Sequence, residues 1–146
     1  MRSLFLSLLL SAVFVLPAGA AVDTSKLQLP GDITLEQARA VVEGALEFAK
    51  KQGVPMNITV VDAGGNLKAF CRMDGAFLGS IDISQKKAVT ARRFNMSSAE
   101  LGALAQPGKE LFGIEATNGG LAIFGGGELL RDRNGVIIGA IGVSGG

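Results

Sequence analysis

The stretch Ile58-Thr59-Val60-Val61-Asp62-Ala63-Gly64-Gly65-Asn66-Leu67-Lys68-Ala69-Phe70-Cys71-Arg72 decides the fold. Its first four residues are β-branched, the next five are dense in turn formers, and Leu67 to Arg72 alternate with period two. That order predicts a β-hairpin. Successive strand residues point to opposite faces. Leu67, Ala69, Cys71 and Met73 therefore share one face, Lys68, Phe70 and Arg72 take the other, and Cys71 is expected in the core.

Upstream, Thr34 followed by Gln37 makes a capping box. Leu35, Ala38, Val42, Ala45 and Ala49 then recur at helical spacing, with Val41 and Leu46 widening the stripe. Lys50 and Lys51 suit the last turn, Gly53 the left-handed position beyond it, and Pro55 forbids continuation, so a helix is predicted over about 34–52. Downstream, Met73 to Ala76 form a turn. A second helix is expected over about 81–94, with Ile81, Ser84, Ala88 and Ala91 as a small-residue stripe fit for a close contact. Ser98 to Ala105 reads as a short helix stopped by Pro107-Gly108. From Gly108 onward turns dominate, because 12 of the 21 glycines lie there. Leu121 to Phe124, Glu128 to Arg131 and Val136 to Val143 read as strands, the last two paired around Asn134-Gly135. The sum is an α/β chain of the α+β kind: a mostly antiparallel five-stranded sheet flanked by helices.

A length of 146 residues accommodates one domain. Arg2, the apolar run Leu4 to Leu16, Pro17 and Ala18-Gly19-Ala20 read as a signal peptide over 1–20 cleaved after Ala20. The run is too short for a bilayer span. The expectation is an exported domain, residues 21–146, periplasmic or secreted, with no membrane span after cleavage. Cys71 has no partner for a disulfide in its own chain. Removing Arg2 from the 14 basic residues leaves 13 against 13 acidic ones, a balance with no global field for nucleic acid. The chain has no His, Tyr or Trp, which excludes imidazole-based triads, three-His zinc sites and tyrosine nucleophiles.

Several motifs carry two readings. Gly142-Val143-Ser144-Gly145-Gly146 satisfies G-x-S-x-G, but a nucleophilic Ser144 needs a His base and the chain has none. Gly125-Gly126-Gly127 is no phosphate loop, since no Gly-Lys-Ser/Thr follows. It is either a plain turn or a strand connection that lets backbone approach a ligand. Asp62, Asp74 and Asp82 match no calcium loop, and Asp62 and Asp82 explain themselves as turn and helix-start residues. Lys86, Lys87, Arg92 and Arg93 either bind a carboxylate or form a solvated face near a helix end.

The chain resembles the GlcG/HbpS-like family of haem-binding or haem-degrading domains. Ile33-Thr34-Leu35-Glu36-Gln37-Ala38, Val60 to Leu67, Arg72-Met73-Asp74-Gly75-Ala76, Ser80 to Ala88, Gly125-Gly126-Gly127 and Val136 to Gly146 carry the resemblance in order. It implies a profilin-like fold, assembly into homo-oligomers, often octamers, and haem as the cofactor. Some members are associated with haem degradation or redox sensing, others with glycolate or diol metabolism. Members usually continue past Ser-Gly-Gly into a C-terminal helix, so the expectation here is either a truncated chain or a domain without that helix. Haem iron takes His, Cys, Met or Tyr, which leaves Cys71 and Met73 as the leading candidates beside Met56 and Met96. Arg72, Lys86, Lys87 and Arg92 would anchor a planar anionic ligand, with Gly125, Gly126 and Gly127 offering backbone. Two other readings stay open, and with them the question of enzymatic activity. One is an enzyme acting on a 2-hydroxy or 2-oxo acid, with Asp62, Asp74 or Glu115 as its acid/base. The other is an accessory oligomer without a small ligand.

Overall fold

The computed structural model describes residues 31–146; the expected signal peptide and its cleavage site lie outside them. Helix α1 (Leu35–Gln52) leads into strands β1 (Met56–Asp62) and β2 (Leu67–Arg72). Helices α2 (Gly79–Phe94) and α3 (Ser98–Leu104), a 3-10 turn at Ile114–Ala116, and strands β3 (Gly127–Arg131) and β4 (Ile137–Gly145) follow. The strands form one antiparallel sheet in the order β2-β1-β4-β3. No helix among the described residues is long and apolar enough to cross a membrane.

Local signals account for the first half. Thr34 and Gln37 make the reciprocal capping box, and Gly53 ends α1 at φ +68°, where glycine carries no steric penalty. Both hairpins close by one device. Asp62 Oδ1 accepts from the N–H groups of Gly64 and Asn66, each at 2.8 Å. Asp132 Oδ1 accepts from those of Asn134 and Val136, at 2.8 and 2.9 Å. In each turn the fourth residue, Gly65 or Gly135, sits at φ +81°.

The sheet has two unlike faces. Ile58 and Val60 meet Ala38 and Val42 of α1 in a conventional apolar core, joined by Ile33. On the other face α2 lies over β1, β4 and β3 with almost nothing but small residues between. Val61, Ala88, Ala91 and Ala140 cluster there, and the fully buried hydroxyls of Thr59 and Ser84 bond at 2.9 Å. The expected close contact is present. A Cβ on Gly142 would strike the Ser84 carbonyl and the Ala88 nitrogen, and one on Gly127 the Lys87 carbonyl.

Among the described residues the sheet has four strands, not five. Residues Leu121 to Phe124 form no strand because their backbone groups are bonded elsewhere. Leu121 N–H donates to the Glu115 carbonyl at 2.9 Å and Ala122 N–H to Thr90 Oγ1 at 3.1 Å. The Phe124 carbonyl accepts from Ser98 Oγ at 2.6 Å. The segment is tied to α2 and α3, and the Ile123 carbonyl fills the place a Cβ of Gly102 would need.

Gly142→Ala is expected to destabilise the protein by about 1–3 kcal/mol, since backbone rather than a side-chain tip must yield. Gly44 lies on the open side of α1 with nothing within 4 Å of a Cβ, so Gly44→Ala is expected to stabilise by about 0.5–1 kcal/mol. Urea unfolding of both variants checks the pair. Equal effects would mean that α2 can lift from the sheet at little cost.

Candidate functional site

Two groups of the predicted site residues stand on opposite sides of the sheet, and the rest are dispersed. On the α1 side β2 is an edge strand, so α1 covers it incompletely and a cleft opens along the seam. Leu46 and Lys50 of α1, Cys71 and Arg72 of β2, and Met73 and Asp74 beyond it line a space of about 340 Å³. A second depression of about 470 Å³ continues it and shares Leu46 and Cys71. Cys71 does face the core side, packed against the α1 cluster. At the sheet edge, however, it is only half-buried, and it is a free thiol. Met73 Sδ accepts the Met56 N–H at 3.4 Å, so its thioether already has a partner. Lys50 is the lining cation that sequence reading missed. Its place in the last turn explained it too readily as a response to the helix dipole.

The donor set of this cleft suits a haem. A cysteine sulfur is a haem-iron ligand and a thioether a weaker one, two cations can meet carboxylates, and Leu46 offers apolar surface to a ring.

On the α2 side the structure brings Lys87 against Gly126 and Gly127, with Gly125 preceding them in the same loop. Lys87 is 6% exposed. Its Nζ donates to the Val143 carbonyl at 3.0 Å and stands 4.5 Å from the centroid of the Phe124 ring. Gly126, at φ +117°, leaves space for it, since a Cβ there would lie 3.0 Å from Nζ. Burial without a carboxylate partner pushes the ammonium below its ordinary value of 10.5. Ser98 fixes the loop at both ends through the Phe124 carbonyl and the Gly127 N–H, the latter at 2.9 Å. Phe124 and Ser98 were not singled out by sequence, although an aromatic residue directly before three glycines was the visible signal.

The remaining candidates are dispersed. Lys86 pairs with Asp82 at 2.9 Å. Arg92 donates to Asn95 Oδ1 at 2.7 Å and leaves Nε buried without a partner. Of the carboxylates, Asp62 is committed to its turn, Asp74 is at the α1-side cleft, and Glu115 sits in the 3-10 turn with Oε2 buried and unpartnered. Ser144 is 7% exposed on β4. Among the described residues no group of three His, Cys, Asp or Glu could hold a metal ion.

An antiparallel sheet between one helix held by large side chains and another held by backbone contact, with open depressions along one margin, defines a small α+β domain. The chain belongs to the haem-degrading HbpS-like family, whose model matches residues 33–146. An uncharacterised 15.0 kDa protein from the dhaT–dhaS intergenic region of Citrobacter freundii is 40% identical over 122 residues, which span 84% of this chain and 86% of the relative. The crystal structure of protein ORFY of Klebsiella pneumoniae superposes with a TM-score of 0.74 at 40% identity, covering 78% of this chain and 79% of ORFY. A crystal structure of a PduOC:haem complex superposes with a TM-score of 0.73 at 34% identity, covering 79% and 83%.

The Lys87 environment has a pH signature. Because the native state lowers this group from 10.5, the charged lysine costs stability below the folded value. As pH rises through that value toward 10.5, the native state releases its proton before the unfolded chain does, and stability rises. Urea midpoints measured from pH 7 to 10.5 are expected to rise in the wild type relative to Lys87→Met over that alkaline window. Parallel profiles would contradict the burial of the charge.

Proposed function

We propose that this protein binds haem, or a planar anionic molecule like it, in the cleft between α1 and β2. The observation that carries the reading is the convergence there of the Cys71 thiol with Lys50 and Arg72 beside the apolar Leu46. The haem complex of the PduOC relative adds support. In this reading Cys71 supplies the iron ligand, Met73 keeps the end of β2 joined to β1 through its bond from Met56, and Lys50 and Arg72 meet the propionates. Bound haem would supply a redox-active iron.

The protein is exported under the direction of residues 1–20 and works in the periplasm or outside the cell, as a homo-oligomer that can reach an octamer. The leader-like sequence supports the first statement. Exposed Phe77, Leu78 and Phe112, at 63%, 71% and 64%, support the second, because large apolar side chains at a surface mark contact sites.

Titration of the purified protein with haem, followed at the Soret band, is expected to saturate at one haem per chain. Cys71→Ser should shift the band and weaken binding about tenfold, the equivalent of roughly 1.4 kcal/mol. Arg72→Ala should weaken it without moving the band. Wild-type spectra and affinity in both variants would overturn this site. Expression with the native leader is expected to give a periplasmic or secreted product beginning at Ala21, and light scattering is expected to report a mass above one chain. A cytoplasmic product retaining Met1, or a monomer at micromolar concentration, would remove the corresponding statement.

A further inference from the structure

The Lys87 cluster lies across the sheet from the proposed haem cleft and has its own chemistry. A lysine 6% exposed has exchanged most of its hydration for one carbonyl and one aromatic face. Among the described residues no carboxylate pairs with it; the ion pairs there join Lys68 to Asp32 and Lys86 to Asp82. An ammonium has three N–H donors, and the Val143 carbonyl takes one. The Phe124 ring supplies only the modest attraction of a π face for a cation. Buried charges are ordinarily paired, so this one lacks the partner its setting calls for.

The surroundings complete an anion site. Neither the Gly125 nor the Gly126 N–H donates to a partner among the described residues, while the Gly126 carbonyl holds the Val143 N–H at 2.8 Å. The loop is pinned on either side by Ser98; of the two glycines between, Gly125 is exposed and Gly126 half-buried, and Gly126 lies against Nζ. Phe124 covers the ammonium yet is itself 53% exposed, so a rotation of its side chain uncovers Nζ without moving the bonded backbone. One positive charge neutralises one negative charge; a phosphate dianion would leave net charge in a desolvated place.

We propose that Lys87, with the Gly125 and Gly126 amides, binds the carboxylate of a small monocarboxylic acid, which enters where the Phe124 ring now lies. One phenyl ring turned aside makes room for a small acid and not for a macrocycle, so the proposed ligand is a free acid and not haem. This site does not depend on the haem reading.

The test is an NMR titration of the isotopically labelled protein with sodium acetate, against acetamide and sodium chloride at matched ionic strength. Acetate is expected to shift the Gly125 and Gly126 amide resonances saturably, with acetamide and chloride without effect. Lys87→Met should abolish the shift, and Phe124→Ala, a change at an exposed ring, should tighten acetate binding several-fold. The amide spectrum of each variant reports whether it is folded. Equal shifts with acetamide or chloride, or no saturable shift in either the wild type or folded Phe124→Ala, would overturn the proposal. Haem affinity is expected to be unchanged in Lys87→Met; a loss as large as that of Arg72→Ala would assign the ammonium to haem and overturn the separate site.

Discussion

The structure depends on one close approach: the backbone of α2 rests on the backbone of the sheet. Gly127 and Gly142 make it feasible, because a side chain at either would occupy the space of the Lys87 or Ser84 carbonyl. Once the helix is that near, the residues at the contact itself must be small, and Ser84, Ala88 and Ala91 are, while the long Lys87 side chain runs past it to the Val143 carbonyl. Small residues bury little apolar area, so the layer relies on contact density and on satisfied polar groups in place of large side chains. Ser84 illustrates this, joined to Thr59 across the interface and to the Ile81 carbonyl within its own helix, both at 2.9 Å. Thr90 does the same work further along by holding the Ala122 N–H.

The opposite face follows the ordinary rule, and the difference determines where ligands can go. Valine and isoleucine side chains hold α1 away from the sheet, and because β2 is an edge strand the helix leaves an open seam beside Cys71 and Arg72. Asp32 and Lys68 steady one end of that seam. Burial alone would raise the Asp32 carboxyl, but the Ala63 N–H at 2.9 Å and the Lys68 ammonium at 3.1 Å outweigh it and hold the group below its ordinary value. Under α2 the backbone contact with the sheet is close. A site on that side can form only where the helix contact ends and the chain becomes glycine, which is the loop from Phe124 to Gly127.

These contrasts explain what could be read in advance. The first hairpin, α1 and its caps, and the hairpin at Asn134-Gly135 rest on interactions within a few residues, so their signals are local and their boundaries nearly coincide with those expected. Leu121 to Phe124 carry the apolar composition of a strand. What decides their fate is a set of distant groups, Thr90, Ser98 and Gly102, and no local pattern announces them. Cys71 falls between the two cases: alternation gave its face correctly, but its exposure depends on β2 being an edge strand, which is a property of strand order. The grouping of Lys87 with Gly125 to Gly127 is equally nonlocal. Sequence named all four residues, while only the passage of α2 over β3 and β4 joins them.

The charge balance then bears on how such a protein would hold an anion. With basic and acidic residues nearly equal in number, no long-range field gathers ligands, and attraction must come from individual cations in partly desolvated places. Lys86 is neutralised by Asp82 and Lys68 by Asp32, and Arg92 is turned toward Asn95. Lys50 and Arg72 stand at the cleft beside Cys71, with Arg39 at the depression that continues it, and Lys87 lies under the Phe124 ring on the other side. Lys50 and Arg72 sit at an open cleft, where water weakens each contact and two cations with a thiol must act together. Lys87 is already desolvated, so a single carboxylate reaching it would meet the stronger field of a low-dielectric place. In the two proposed readings the sheet separates a wide, wet site for a large anion from a narrow, dry one for a small anion, and the separation follows from the unequal heights at which its two helices sit.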